Sequence, residues 1–80
     1  MPTVALFDGI RILMYLKDHV PPHFHVRKAE QKVAIEIGSG NLMEGRLDRG
    51  TMRKVQAWRF LNISAFYQVW TFCQKPTTTN

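Results

Sequence analysis

The stretch from His23 to Ile37 reads HFHVRKAEQKVAIEI, and it holds two runs in which apolar and polar residues alternate. A period of two is typical of half-buried β-strands, so the stretch predicts a hairpin that turns around Ala29-Glu30. The register that buries the apolar side chains predicts four cross-strand pairs: Phe24–Ile35, Val26–Val33, His25–Ala34 and His23–Glu36. Ala29-Glu30 is a poor turn pair, so a longer loop is an open alternative.

Shorter signals extend the sheet on both sides of this hairpin. Asp8-Gly9 predicts a two-residue type I′ turn between a strand at Thr3–Phe7 and a second strand at Ile10–Lys17, because Asp and Gly tolerate positive φ. Gly38–Asn41 indicates another turn, and Leu42–Leu47 indicates a short last strand. The sequence therefore predicts an antiparallel sheet of four or five strands.

The C-terminal part predicts one long helix packed on one face of this sheet, in an α+β fold. Asp48 is the expected N-cap, and the helix is expected to run to about Cys73. The stripe predicted to face the sheet consists of Val55, Trp58, Ala65, Phe66, Val69, Phe72 and Cys73. A second ridge, interpreted as a partner-binding surface, consists of Phe60, Ile63, Tyr67 and Trp70. Residues 1–75 form the single predicted domain, and residues 76–80 a disordered tail.

Composition favours a soluble protein with a polyanionic or acidic partner. Among 80 residues, 11 Lys and Arg stand against six Asp and Glu, which gives a net charge of +5. Such a surplus favours nucleic acid or acidic protein surfaces. The single cysteine, Cys73, cannot form an internal disulfide, and no apolar run is long enough to span a bilayer. The N-terminus lacks the basic start and long apolar core of a secretory signal, so we expect a cytoplasmic protein that contacts no membrane.

Five cations surround the N-terminal half of the predicted helix, with Asp48 as the one acid among them: Arg46, Arg49, Arg53, Lys54 and Arg59. Helix N-termini favour anions, so cations there are expected where they contact phosphate or an acidic partner. A solvated basic face is the alternative. We assign these five residues to nucleic-acid binding.

All three histidines lie in one nine-residue segment. His23 and His25 share one face of a strand, about 6–7 Å apart at Cα, and His19 can reach back across the Pro21-Pro22 turn. Together with Glu36 they form a candidate site for a divalent metal with an open coordination position. The simpler interpretation, which we prefer, needs no cofactor. In it the histidines bond turn carbonyls and pair with Glu36, which makes a recognition corner.

The segment Asp18-His19-Val20-Pro21-Pro22-His23-Phe24-His25-Val26 resembles the signature of a small bacterial family catalogued as domain of unknown function 4160. The other matching residues are Met1–Val4, Asp8-Gly9, Gly45, Leu47, Arg53, Val55, Trp58 and Trp70. The resemblance implies a small α+β protein whose gene sits beside another small family of unknown function, in pairs that look like toxin–antitoxin modules. Where this family tends to have charged residues between the two tryptophans, the chain has Phe60, Ile63, Ala65 and Tyr67.

We therefore expect a small basic toxin–antitoxin-type protein that binds nucleic acid and a cognate protein encoded by a neighbouring gene. A homodimer is an alternative use of the aromatic ridge. The alternative function is a metal-dependent hydrolase or nuclease built on His19, His23 and His25 with Glu36. The residues leave open whether the protein is the toxin or the antitoxin, and whether it is an enzyme.

Overall fold

A computed structural model describes residues 3–15 and 20–74 of the chain. Five strands are followed by two helices. The strands are β1 (Thr3–Phe7), β2 (Ile10–Leu13), β3 (His23–Lys28), β4 (Gln31–Glu36) and β5 (Leu42–Gly45), and the helices are α1 (Arg49–Leu61) and α2 (Ile63–Gln74). The fold is α+β, as expected. The second strand was predicted to reach Lys17, but β2 ends at Leu13, so the prediction is wrong at Met14 and Tyr15. Leu16-Lys17 and the predicted tail at 76–80 lie outside the described residues.

The five strands form one antiparallel sheet in the order β1-β2-β3-β4-β5. The register predicted for the β3–β4 hairpin is confirmed at all four pairs. Lys28 pairs with Gln31, so the turn at Ala29-Glu30 has two residues and the longer loop is not used. Ala29 accepts a φ of +54°, as the first position of a type II′ turn requires.

The β1–β2 turn also forms as predicted. Asp8 and Gly9 have φ values of +50° and +73°, and Phe7 pairs with Ile10 across the turn. Positive φ at both central positions is the requirement of a type I′ turn, and its twist matches that of the two strands that it joins.

The sheet buries one face against the two helices. Because cross-strand partners point to the same face, the register aligns Ile12, Val26 and Val33 across the three central strands. The core that results combines this sheet face with residues of both helices: Ile10, Ile12, Met14, Phe24, Val26, Val33, Ile35, Ile37, Val55, Phe66, Trp70 and Cys73. Stacked rings join the two layers, since Phe24 and Phe66 lie 4.4 Å apart between centroids.

The single long helix predicted from the sequence is wrong, because the chain bends at Asn62 between α1 and α2. Asn62 has φ −124° and ψ +21°, away from helical values. Its side-chain amide donates to the Trp58 carbonyl oxygen at 2.9 Å, which the Asn62 N–H also approaches at 3.1 Å. An asparagine side chain that competes for a helix carbonyl in this way favours a break in the helix.

The bend changes which residues of α2 face the sheet. The core positions of α2 are Ile63, Phe66, Trp70 and Cys73, with Ile63 partly buried against the cluster. The predicted stripe is therefore wrong at Ala65, which is exposed, and at Phe72, which is 72% exposed. The predicted ridge is not one exposed surface either, because Trp70 is only 7% exposed. Both errors come from extending one helical phase from Val55 through Asn62.

Candidate functional site

His23, at the start of β3, is a buried structural residue. Its side chain is 1% exposed, and Nδ1 donates to the Pro21 carbonyl oxygen at 2.7 Å. Because a carbonyl can only accept, this bond assigns the proton to Nδ1. The imidazole also lies 5.3 Å from the Trp70 ring, between centroids. His23 therefore joins the loop at Pro21 to helix α2, as the simpler interpretation of the histidines predicts for one of them.

His25 is half-buried and lies nearer the surface. Its ring is 5.0 Å from His23 and 4.3 Å from Tyr15, between centroids. Glu36 stands opposite His23 in the register, and its carboxylate accepts a hydrogen bond from Ser39 Oγ at 2.6 Å. His19, the third predicted member of the corner, lies outside the described residues. Within residues 3–15 and 20–74, no three His, Cys, Asp or Glu side chains come together in a group that could hold a metal ion.

Asp48 fixes the start of α1 on the β3–β4 hairpin, and its role as N-cap is confirmed. Its carboxylate accepts from the Thr51 N–H at 3.0 Å and from Thr51 Oγ1 at 2.7 Å. Gln31 donates to the same carboxylate and accepts from the Asp48 N–H, at 3.0 and 2.8 Å. These hydrogen bonds, those of Thr51 first, hold the pKa of Asp48 well below its ordinary value of 3.8. Lys28 Nζ, 4.0 Å from the carboxylate, adds a smaller effect in the same direction.

The structure separates the five cations that the sequence grouped for nucleic-acid binding. Arg59 faces inward: Nη1 donates to the Ile37 carbonyl oxygen at 2.7 Å, and Nε donates to Gln56 Oε1 at 3.0 Å. Lys54 forms an exposed ion pair with Asp8, in the β1–β2 turn, at 3.2 Å. The other three are exposed, and none is ion-paired with an acid in the described part of the chain: Arg46, Arg49 and Arg53.

Arg59 and Gln56 together clamp the turn that leads from β4 to β5. Gln56 Nε2 donates to the Gly40 carbonyl oxygen at 2.8 Å. A Cβ at Gly40 would lie 2.6 Å from Gln56 Oε1, and φ there is +77°, so a larger residue would strain the backbone and displace the side chains that hold the turn. The interaction of Arg59 is therefore with the protein's own backbone, which the sequence could not reveal.

Large apolar side chains remain exposed on the helices. Phe60 and Leu61, at the end of α1, are 75% and 79% exposed, and Phe72 points outward from α2. The outer face of α2 is defined here as its exposed residues on the side away from the sheet: Ser64, Ala65, Gln68, Thr71 and Phe72. Helix α2 carries no charged residue along its whole length. Of the predicted ridge, Phe60 and Tyr67 stay exposed, whereas Ile63 and Trp70 pack inward.

A model described as a domain of unknown function, number 4160, matches residues 9–71. The chain belongs to this family. The family match begins in the β1–β2 turn and ends in α2, so it includes both described histidines, the helix arginines and Trp70. No curated protein and no solved structure matches the chain.

The sheet face turned away from the helices carries cations that the sequence did not single out as a site. The β2–β3 register places Arg11 opposite Arg27, and the β3–β4 register places Arg27 opposite Lys32. Strand alternation places Arg27 on the face of His25, and the pairing of β2 with β3 brings Arg11 beside it.

Two further features of the described chain are the surroundings of Cys73 and the length of the helices. Cys73 is buried in the core, and burial raises the pKa of its thiol, which fits its predicted role as a core residue. None of the described helices is long and apolar enough to cross a membrane.

Proposed function

We propose that the protein is one member of a toxin–antitoxin-type pair and works by binding a cognate protein and nucleic acid. The single observation that carries the protein-binding part is the outer face of α2. This face lacks charge yet exposes Phe72, in a chain that otherwise carries 17 charged residues (11 basic and six acidic). Depletion of charge together with an exposed aromatic residue is the composition found at the centre of protein interfaces.

Neighbouring residues extend this surface and give it a rim. Leu61 and Phe60 lie at the junction of the two helices, and a shallow depression on α2 is lined by Tyr67, Gln68, Thr71 and Phe72. A protein this small has little area for a second apolar cluster that serves no purpose. Burial of Leu61 and Phe72 in a complex would remove two highly exposed apolar side chains of the helical layer from water.

Charge favours a different protein over a second copy as the occupant. Two copies would each bring a net charge of +5 to the contact, whereas an acidic partner is attracted to it. Arg49 and Arg53 are exposed one helical turn apart on α1, the helix that ends at Phe60 and Leu61. The partner that fits is therefore an acidic protein with an apolar patch, in keeping with a cognate protein made from an adjacent gene.

The nucleic-acid part of the proposal is supported by the surplus of positive charge. Of the five predicted phosphate contacts, Arg46, Arg49 and Arg53 remain available, while Arg59 is engaged with the β4–β5 turn. Any such binding is expected to weaken steeply as salt increases, because each phosphate contact releases counterions.

The protein-binding part is tested by co-expression with the product of the adjacent gene, followed by light scattering and titration calorimetry on the purified pair. We expect a stable complex, and we expect Leu61→Gln/Phe72→Gln to weaken it by about tenfold or more. The matched control is Leu6→Gln/Val20→Gln, which removes two exposed apolar side chains that belong to neither helix and is expected to change the affinity less than about threefold. Equal losses in the two double variants, or no complex with the wild-type protein, would contradict the proposal.

A further inference from the structure

On the sheet face turned away from the helices, the end nearest the β1–β2 and β3–β4 turns is exposed, and we call this part the open face. Farther along the same face, Leu13, His23 and Ala34 are buried. A row of three cations crosses the open face. Arg11, Arg27 and Lys32 lie directly opposite one another on β2, β3 and β4, and we call them the basic row. All three are exposed. With neighbouring strands about 4.8 Å apart, the row spans about 10 Å. It presents three positive charges in one line on a rigid support.

The basic row works against the stability of the sheet. Like charges on directly opposite residues destabilise a strand pair, and this row repeats the arrangement twice. In the described part of the chain, the recorded ion pairs join Lys28 to Asp48 and Lys54 to Asp8, and neither involves the row. Two acids lie in other rows of this face: Glu44, on the edge strand β5 opposite Ala34, and Glu36, opposite His23. A row with this cost is expected where an external anion supplies the missing negative charge.

Aromatic side chains lie in the rows next to these cations. The rings of Tyr15 and His25 are 4.3 Å apart between centroids and tilted by 60°, and both side chains are half-buried. Arg27 donates from Nη2 to the Tyr15 hydroxyl at 3.4 Å, which ties the row to the rings. Cations that track a backbone beside rings on which bases can stack are the two parts of a single-strand binding surface.

Two shallow depressions flank Arg27 on the open face. One is lined by residues that include Tyr15, His25, Lys32 and Glu44. The other is lined by Leu6, Gly9, Arg11 and Ala29, and Arg27 borders both. The open face therefore offers two adjacent recesses with a guanidinium between them.

We propose that the open face binds single-stranded nucleic acid, with the basic row on consecutive phosphates and Tyr15 and His25 stacked on bases. The proposal rests on the nucleic-acid part of the proposed function and gives it a place that the sequence did not predict. A single strand fits better than a duplex, because stacking on side chains needs unpaired bases, and the major groove is read by a helix or a two-stranded ribbon. The shared chemistry of RNA and DNA single strands is sufficient for these contacts.

Fluorescence anisotropy tests the proposal with labelled oligouridine and oligothymidine of about 12 nucleotides, beside a duplex of equal length. Arg11→Gln/Arg27→Gln is expected to weaken single-strand binding by about tenfold or more and to reduce the slope of log K against log salt by about 1.4, for two lost phosphate contacts. The charge-matched comparison is Arg49→Gln/Arg53→Gln, which removes the same two charges from the helix cations that the sequence assigned to phosphate. It therefore compares the two candidate surfaces, and a loss of about threefold or less is expected there because the nucleic-acid strand lies on the basic row.

A third variant, Tyr15→Leu, separates stacking from charge. It keeps the net charge, and it is expected to weaken single-strand binding by about fivefold or more without changing the salt slope. Thermal melting of every variant establishes that it is folded before its affinity is measured. The ratio of the oligouridine and oligothymidine affinities then identifies which sugar is preferred.

Three results would overturn the proposal. If the two arginine double variants lose affinity equally, net charge alone is responsible. If the duplex binds as tightly as the single strands, and Tyr15→Leu has the affinity of the wild-type protein, the face contacts phosphates without stacking on bases. If the wild-type protein binds no nucleic acid, that part of the proposed function fails as well, while the calorimetry with the cognate protein still tests the protein-binding part on its own.

Discussion

The two faces of the sheet are built from the same strands but follow opposite rules. On the covered face, Ile12, Val26 and Val33 form a cross-strand row that is almost completely buried. One residue earlier or later along each strand, the basic row repeats the same pairing in solvent. The covered row is constrained by packing, whereas the basic row lies in solvent and can change its chemistry at little cost to the fold. This division allows a chain of only 80 residues to build a core and still present a charged surface on the same sheet.

The largest expected effect on stability comes from removing an aromatic ring from the covered face. Phe24→Ala deletes a fully buried side chain that stacks on Phe66, and we expect it to lower the free energy of unfolding by about 3–5 kcal/mol. Urea unfolding followed by circular dichroism measures the change. The control is Arg27→Ala on the open face of the same strand, expected within about 0.5 kcal/mol of wild type. A large loss at Arg27 would show that the open face is structural after all.

The two described histidines, one buried and one half-buried, are expected to give an intermediate effect on stability. His23→Ala removes the hydrogen bond to Pro21 and the contact with Trp70, so we expect a loss of about 2–3 kcal/mol in the free energy of unfolding. His25→Ala, at a half-buried position, is expected to cost about 1 kcal/mol or less. The same urea titration compares them, and equal losses would contradict the division of roles between the two rings.

Asp48 gives the smallest effect, and it depends on pH. Because the folded-state pKa of Asp48 lies below its ordinary value of 3.8, the ionised carboxylate stabilises the folded protein above about pH 4. That stabilisation is lost as the pH falls below this value. Asp48→Asn is therefore expected to lower Tm by a few degrees at pH 7, with the gap to wild type closing as the pH is lowered toward 2.

Melting curves recorded between about pH 2 and pH 7 measure the difference in Tm between the two proteins. Asp8→Asn serves as the control, because the Asp8 carboxylate forms an exposed ion pair with Lys54, and such a pair contributes little to stability. Wild-type and Asp48→Asn curves that ran parallel across the whole range would mean that the N-cap does not respond to pH in this way.

The sheet could be predicted from sequence because its signals are local. Alternation with a period of two specified the β3–β4 register, since a slip of one residue would have exposed Phe24 and buried Arg27. Asp8-Gly9 specified the first turn for an equally local reason. The two-residue turn at Ala29 was not specified, because alanine does not normally favour positive φ and the strands on either side impose it.

The helical layer and the candidate site depend on contacts between distant residues, and these were predicted less well. Asn62 is an ordinary residue in a helix until its amide meets the Trp58 carbonyl, so the bend and the inward position of Trp70 went unpredicted. Arg59 reads as one more surface cation, but its side chain reaches the Ile37 carbonyl 22 residues away in sequence. The basic row likewise exists only once β2 pairs with β3 across the segment that joins them.

The strand order also bears on how the molecule assembles during synthesis. Every pairing in the sheet joins strands that are adjacent in sequence, so each hairpin closes a short loop at low entropic cost. We expect the sheet to form strand by strand as the chain leaves the ribosome, before the helices that follow it are available to cover its apolar face. In that interval the positive charge of the open face would repel other partly folded copies of the chain and so limit their aggregation.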